Sequence, residues 1–289
     1  MTALEVKTLG AVLDAGAGYL AARRVEYPRV ACELLAARLL GCKRLELATR
    51  FPEPLSEEHL AAMRRGVKRV GAGEPVQYVT GETDFMGHVL RTDRRALIPR
   101  PETEGLVELV LACDELWTGR PSIVDVGTGS GCIAIALAMA RPQALFVAID
   151  PNADSIELAG ENAGRFGLED KIGFACAELP DCVEPETIAA IVANLPYVPT
   201  AEYERLPVHI RDHEPRSALD GGPDGLSVIE GVVLDAGMAL IPGGRLFLEI
   251  GENQGESVKS LLAGSGFADI TVSKDLADRD RYAAAVLSG

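Results

Sequence analysis

No run of apolar residues in this 289-residue chain approaches the ~20 needed to span a bilayer, so no membrane role is expected. The opening Met1-Thr-Ala-Leu-Glu-Val-Lys7 lacks the basic start, hydrophobic stretch and small-residue cleavage site of a secretory leader, and a cytoplasmic protein is expected. There is no C-x-x-C pair. The six cysteines (Cys32, Cys42, Cys113, Cys132, Cys176 and Cys182) are scattered without a nearby histidine, so no zinc or other metal centre is expected, and they read as reduced core thiols. A surplus of positive charge is missing too. The formal net charge of -15 argues against affinity won by neutralising phosphates, and no direct nucleic-acid partner is expected.

What is present is the balance of a soluble globular protein, 47% apolar and 25% charged, long enough for one large α/β domain and a smaller one. The charge is uneven. Residues 1–70 hold 12 Lys/Arg against 8 Asp/Glu, which leaves a net -19 for the remainder. The basic groups Arg23-Arg24, Lys43-Arg44 and Arg64-Arg65 with Lys68-Arg69 read as solvated helix faces, with a surface for an acidic partner as the alternative.

Helical spacing covers Leu4 to Arg24. A second helix starts at Pro28, carries Val30, Leu34, Leu35, Leu39 and Leu40, and stops at Gly41, and Ser56-Glu57-Glu58 starts a third. These make a small helical domain over residues 1–72. Residues 73–101 read as a linker with a hairpin, Thr83–Met86 turning at Gly87-His88 into Val89–Arg91. In the domain at 102–289, strands at 123–126, 144–149, 188–193 and 245–250 alternate with helices at 133–140, 155–166, 225–240 and 257–263, and strands at 269–272 and 282–287 follow. Such alternation predicts an α/β domain with a doubly wound, mostly parallel sheet that binds ligands where its strands end.

Two motifs fall at strand ends. Asp125-Val-Gly127-Thr128-Gly129-Ser130-Gly131 follows the first strand, where glycines let a ligand approach backbone N–H groups. Its spacing is G-x-G-x-G with Cys132 next, so it meets neither the dinucleotide G-x-G-x-x-G nor the P-loop, which needs a following Gly-Lys-Ser/Thr. Asp150 closes the second strand 19 residues past Gly131, where a carboxylate accepts both hydroxyls of a ribose, and the pair implies a nucleoside-containing cofactor. The second motif is Asn194-Leu195-Pro196-Tyr197 after Ile188–Ala193. A planar amino group that must act as a nucleophile needs two acceptors and a flat surface. The Asn194 side-chain carbonyl and the Leu195 peptide carbonyl are the acceptors, Pro196 keeps Leu195 out of the helical region, and Tyr197 supplies a ring. An amide nitrogen and the exocyclic nitrogen of a base both fit this description.

In this order these motifs resemble the class I S-adenosylmethionine-dependent methyltransferases that act on amino nitrogens. Leu97-Ile-Pro-Arg100-Pro-Glu102-Thr-Glu104, Glu214-Pro-Arg-Ser-Ala-Leu-Asp-Gly-Gly-Pro-Asp-Gly-Leu226, Tyr27-Pro-Arg29 and Glu33-Leu-Leu35 are similar to the HemK-like release-factor glutamine methyltransferases, over nearly the whole chain. The resemblance implies a seven-stranded class I methyltransferase sheet with a helical substrate-recognition domain and a connecting β-hairpin. It implies S-adenosylmethionine as cofactor and, as substrate and protein partner, a peptide-chain release factor methylated on the glutamine of its Gly-Gly-Gln loop. Carried onto this chain, Gly127, Thr128, Gly129, Ser130 and Gly131 flank the methionine part of the cofactor, Asp150 its ribose, and Glu178 and Leu179 its adenine. Asn194, Leu195, Pro196 and Tyr197 are the catalytic group, Asn194 also lies beside the cofactor, and Arg100 and Glu102 shape the substrate mouth.

One position departs from the family, which usually shows Asn-Pro-Pro-Tyr. Leu195 keeps the backbone carbonyl that the second place requires. Because Asn-Leu-Pro-Tyr is also the form typical of ribosomal RNA adenine dimethylases, an enzyme acting on adenine in RNA or DNA is the first alternative, and a non-catalytic S-adenosylmethionine-binding protein the second. His209 and His213 read as histidines without a catalytic role. A monomer is expected.

Overall fold

Helical spacing governs residues 1–72 and apolar strands govern most of the rest. The computed structural model, which describes residues 7–179 and 183–289, follows that split; Leu4–Val6 of the expected first helix and Cys182 lie outside the described residues. Residues 1–82 with 207–213 make one compact unit, and residues 83–206 with 214–289 make the other, a division that is not contiguous in sequence.

The first unit contains α1 (Leu9–Ala21), α2 (Pro28–Leu40), α3 (Glu57–Val70) and the short α4 (Val76–Thr80). Pro28 opens α2, where its missing N–H costs nothing, and Gly41 ends it in the left-handed region at φ +61. The Ser56 hydroxyl accepts the His59 N–H at 3.1 Å and caps α3. Leu9, Leu13 and Leu20 of α1 bury against Cys32 and Leu35 of α2 and Met63 and Val67 of α3.

The second unit begins with the hairpin of β1 (Glu82–Phe85) and β2 (His88–Arg91), whose Phe85 and Leu90 enter the core. Helix α5 (Pro101–Leu111) precedes the sheet. The sheet then runs through β3 (Ser122–Val126), β4 (Leu145–Asp150), β5 (Ile172–Cys176), β6 (Ile188–Asn194), β7 (Leu240–Glu249), β8 (Phe267–Lys274) and β9 (Asp280–Leu287). Their spatial order is β5-β4-β3-β6-β7-β9-β8. The first five are parallel, and β9 pairs antiparallel with both β7 and β8. This is the seven-stranded, mostly parallel sheet of class I methyltransferases.

Successive strand residues serve opposite faces. Ile123, Phe146, Ala190, Val192 and Phe247 pack under α5, α6 (Cys132–Ala140) and α7 (Ala153–Arg165). Val124, Val126, Ile149, Ile191, Ala193, Leu246 and Leu248 pack under α8 (Ser227–Ala239) and α9 (Gly255–Gly264). Burial on both faces is why these strands are continuous apolar runs rather than alternating ones. From β3 the chain moves outward through β4 to β5 and then returns to β6 on the other side of β3, so the carboxyl ends of β3 and β6 flank the topological switch point where α/β sheets bind ligands.

Three elements differ from the sequence-based expectation, the first being α4, a short helix inside the 73–101 stretch read as a linker. β5 is an edge strand interrupted by Gly173, and only Ile172 in it is fully buried, so it has almost no periodic signal. Helix α5 lies where only a stretch preceding the first strand is expected, although Pro101 at its first position, Glu102 and Glu104 in its first turn, and Leu106, Val107 and Val110 along one face are ordinary helix signals.

Candidate active site

At the carboxyl ends of β3, β4 and β6 the second unit opens a cavity of about 760 Å³. Its floor is the glycine turn 127–130, and its sides are Asp150, Glu178 and Leu179, Asn194 to Pro196, Arg100 and Thr103, and the face of α8 that carries Val228 and Val232. That volume suits a nucleoside cofactor with a side chain beside it.

The turn is built from left-handed glycines: Gly127, Gly129 and Gly131 have φ of +71, +55 and +82. A Cβ at Gly131 would lie 3.1 Å from the Ala159 Cβ, so the start of α6 passes close against α7. Beneath the turn Asp125 is buried, and one of its oxygens accepts from the Thr128 hydroxyl (2.6 Å) and the Ala134 N–H (3.2 Å). Its other oxygen has no partner among the described residues. Burial pushes this carboxyl up to about 7. Asp150 accepts from Gly129 N–H at 3.0 Å and Asn152 N–H at 2.9 Å, one on each oxygen. Burial raises its pKa against those two bonds. Each carboxylate oxygen keeps a lone pair, so capacity for two hydroxyl donors remains. Glycine turn, acid and cavity size together fit an adenosyl cofactor. No group of three or more His, Cys, Asp or Glu side chains able to hold a metal occurs among the described residues.

Asn194 ends β6, and in the parallel register its partner on β7 is Glu249. Thr103, in the first turn of α5, lies between their side chains. The Asn194 Nδ2 donates to Thr103 Oγ1 at 2.9 Å, and Thr103 Oγ1 donates to Glu249 Oε2 at 2.8 Å. Asn194 Oδ1 accepts no hydrogen bond among the described residues, and Asn194 lines the cavity. Glu249 Oε1 accepts from the Tyr197 hydroxyl at 3.3 Å, and Arg281 Nη1 donates to that hydroxyl and to the Ile250 carbonyl. Burial raises the Glu249 pKa, opposed by the Thr103 bond and the Arg281 charge.

The backbone of the tetrapeptide is held from outside. Val198 N–H donates to Leu219 O, Gly221 N–H to Val198 O, and Thr200 N–H to Gly222 O. The side-chain amide of Gln254 donates to the carbonyls of Tyr197 (3.0 Å) and Gly225 (3.1 Å), while its own oxygen accepts from Gly251 N–H. Contact is so close that a Cβ at Gly221 would fall 2.5 Å from the Pro196 carbonyl oxygen. Asp220-Gly-Gly-Pro-Asp-Gly225 is therefore glycine-rich because it lies directly against the Pro196-Tyr197-Val198 backbone. A second clasp joins the two family stretches: buried Glu214 accepts from Ile98 N–H at 3.1 Å and from the Arg100 guanidinium at 2.5 Å.

A PrmC N-terminal domain model matches residues 11–81, and a methyltransferase small domain model matches residues 109–208. A release factor glutamine methyltransferase of Geobacter sulfurreducens is 38% identical over 277 residues, 96% of this chain and 96% of that protein. The chain belongs to the release factor glutamine methyltransferase family. Another such methyltransferase, of Chlorobaculum tepidum, is 38% identical over 91% of this chain and 92% of its own length. A solved protein-(glutamine-N5) methyltransferase (release factor-specific) from Alicyclobacillus acidocaldarius is 31% identical, covering 66% of this chain and 95% of that one, with a TM-score of 0.40.

Of the residues a release factor glutamine methyltransferase is expected to use, the structure brings Gly127, Thr128, Gly129, Ser130, Asp150, Glu178, Leu179, Asn194, Leu195, Pro196 and Arg100 to the cavity wall. Gly131 sits just behind it, at the start of α6. Leu195 is buried, and its Cδ2 would be 3.3 Å from a Cβ at Gly127, so the leucine side chain fills space against the glycine turn. Tyr197 and Glu102 are not on the wall. The Tyr197 hydroxyl turns to Glu249, and the Glu102 carboxylate lies 3.7 Å from Arg279. His209 and His213 fall in 207–213, which groups with the first unit, and neither lines the cavity. Thr103 and Glu214 lie in the Leu97–Glu104 and Glu214–Leu226 stretches without an expected role, and Glu249 and Gln254 belong to no motif; of the four, Glu249 has the clearest signal, a charged residue in the apolar run Leu246-Phe-Leu-Glu-Ile250.

Proposed function

We propose that this chain transfers a methyl group from S-adenosylmethionine to the side-chain amide nitrogen of a glutamine in a peptide-chain release factor, the glutamine of its Gly-Gly-Gln loop. The observation that carries this is the fixed Asn194 amide: one N–H of its NH2 is donated to Thr103, which sets the orientation of the amide and leaves its carbonyl as an acceptor on a residue of the cavity wall.

When bound, the cofactor supplies an electrophilic methyl on a positively charged sulfur. Asp150 would hold the ribose hydroxyls, Gly127 to Gly131 the methionine portion, and Glu178 and Leu179 would flank the adenine. A glutamine nitrogen is a weak nucleophile because its lone pair is delocalised into its own carbonyl. Asn194 Oδ1 and the Leu195 carbonyl, accepting its two hydrogens, favour a pyramidal nitrogen with the lone pair aimed at the methyl, an interaction stronger in the transition state than before it. As the N–C bond formed the C–S bond would break, the cofactor leaving as a neutral thioether and one nitrogen proton passing to water; no strong base is needed, since the nitrogen becomes acidic only as the new bond forms. Tyr197 takes part by anchoring the strand end at Glu249, and Arg100, held by Glu214, borders the entrance.

Residues 1–72 are the part we assign to release-factor recognition, in keeping with their surplus of basic residues. We take the enzyme to be a cytoplasmic monomer acting without nucleic acid or membrane: its cavity is lined entirely by residues of one unit, and residues beyond 70 carry a net -19 that repels polyanions.

The experiment is transfer of tritiated methyl to purified release factor, to its Gly-Gly-Gln Gln→Ala variant and to ribosomal RNA. Label on the release factor and none on the other two is expected. Label on RNA alone would establish the adenine enzyme instead, and no label on any of the three, with cofactor bound, a binding protein.

A further inference from the structure

A primary amide has two ends of similar size and opposite hydrogen-bonding sense. An asparagine in an acceptor role therefore needs something to decide which end faces the substrate. Here that decision is made two residues away. Glu249 is 1% exposed and Thr103 2%. Glu249 faces the Arg281 charge and takes the Tyr197 hydroxyl on Oε1, and as a carboxylate it can only accept, so the Thr103 hydrogen points to Glu249 Oε2 at 2.8 Å. Thr103 Oγ1 is then left as an acceptor, and of the two ends of Asn194 only Nδ2 can satisfy it, at 2.9 Å. The flipped amide would set Oδ1 against an oxygen that has no hydrogen left to give. Three observations hold the relay in place: Asn194 and Glu249 are register partners on adjacent strands, Thr103 sits in the first turn of α5, and the second Glu249 oxygen takes the Tyr197 hydroxyl.

We propose that Thr103 and Glu249 are positioning residues that set the polarity of the Asn194 amide, so that its carbonyl rather than its NH2 faces the substrate nitrogen. The inference rests on the function proposed above. One acid also ties the first and fourth residues of the Asn-Leu-Pro-Tyr group together, since Thr103 links Glu249 to Asn194 while Tyr197 binds it directly. Replacing Glu249 by glutamine keeps the shape and removes the rule: a glutamine NH2 can donate to Thr103 Oγ1, the Thr103 hydrogen can then turn to Asn194 Oδ1, and the flipped Asn194 presents two N–H groups to a substrate that is itself a donor.

The test uses the full-length enzyme with Thr103→Val, which keeps the shape and loses the hydroxyl, Thr103→Ser, which restores it, and Glu249→Gln. With release factor as substrate, Thr103→Val and Glu249→Gln should lower kcat by ~10- to 100-fold, the scale of one buried polar group left without its partner. KM and the cofactor Kd should stay within a few-fold, and Thr103→Ser should recover most of kcat. A Thr103→Val enzyme with wild-type kcat, or a Thr103→Ser enzyme as slow as Thr103→Val, overturns the proposal. A readout independent of turnover comes from 15N-asparagine labelling, practical because the chain has only four asparagines, Asn152, Asn162, Asn194 and Asn253. The Asn194 NH2 resonances should shift and exchange faster in Thr103→Val and return in Thr103→Ser; unchanged resonances overturn the relay. Wild-type enzyme silent toward release factor would count against the proposed function, while the amide spectra would still decide the relay.

Discussion

Alanine at Gly221 is the sharpest single perturbation of the site's frame. The added Cβ would stand 2.5 Å from the Pro196 carbonyl oxygen and 2.7 Å from the Gly225 carbonyl oxygen, against an ordinary contact of 3.4 Å or more. Both obstacles are backbone, so neither can swing aside as a side chain would, and the two segments must part by close to ~1 Å. Overpacking of this kind costs about 1–3 kcal/mol of stability. The displaced segment is the one that carries Leu195 and Asn194, and misplacement of a reacting group by ~1 Å costs on the order of 100-fold in rate. Urea unfolding and methyl transfer to release factor, measured on the same preparations, should show both losses, with cofactor affinity changed far less. Gly160→Ala is the control: it lies inside α7 with nothing within 4 Å of its Cβ position, and it should gain ~0.5–1 kcal/mol without loss of activity. A Gly221→Ala enzyme as stable and as active as Gly160→Ala would refute the claim that the glycine loop presses on the tetrapeptide.

Asp125 ties stability to pH. Its carboxyl is held near 7 in the folded protein against an ordinary 3.8, so its proton stays on the folded state while the unfolded state loses it. Stability therefore falls as pH rises from about 4 to about 7, by roughly 1.4 kcal/mol per pH unit and about 4 kcal/mol in all. Asp125→Asn removes that slope, and urea midpoints at pH 4.5 and 7.5 should show the variant gaining on wild type at the higher pH; parallel midpoints would remove burial as the cause. Asp150→Ala should weaken S-adenosylmethionine binding by ~10- to 100-fold in calorimetry, as loss of hydrogen bonds to a charged acceptor implies, and an unchanged affinity would take Asp150 off the ribose.

Most of the sheet is legible in the sequence because its strands are buried on both faces: Ile123–Val126 and Ile188–Ala193 have no competing period. β5 is not, since an edge strand with Gly173 in its middle buries too little to pattern it. Asp150 and the glycine turn can be read because backbone conformation and strand-end position leave a local signature. Thr103 and Glu249 cannot, since the bond between them spans 146 positions and neither belongs to a motif that names its partner. Residues 207–213 illustrate the same limit, as grouping with 1–82 is a property of packing that no local pattern announces. Leu195, the one departure from the family tetrapeptide, is explained by the structure: its side chain is buried against the glycine turn, while the position's carbonyl is retained.

The central claim is that Asn194 acts on the acceptor nitrogen and not on the cofactor. It is tested most directly by comparing wild-type and Asn194→Ala enzyme in two measurements on one sample, the cofactor Kd by calorimetry and methylation of the Gly-Gly-Gln glutamine by mass spectrometry. Loss of the glutamine methyl with a Kd within a few-fold of wild type is the predicted result. Continued methylation, or a cofactor affinity that falls in step with activity, would contradict it.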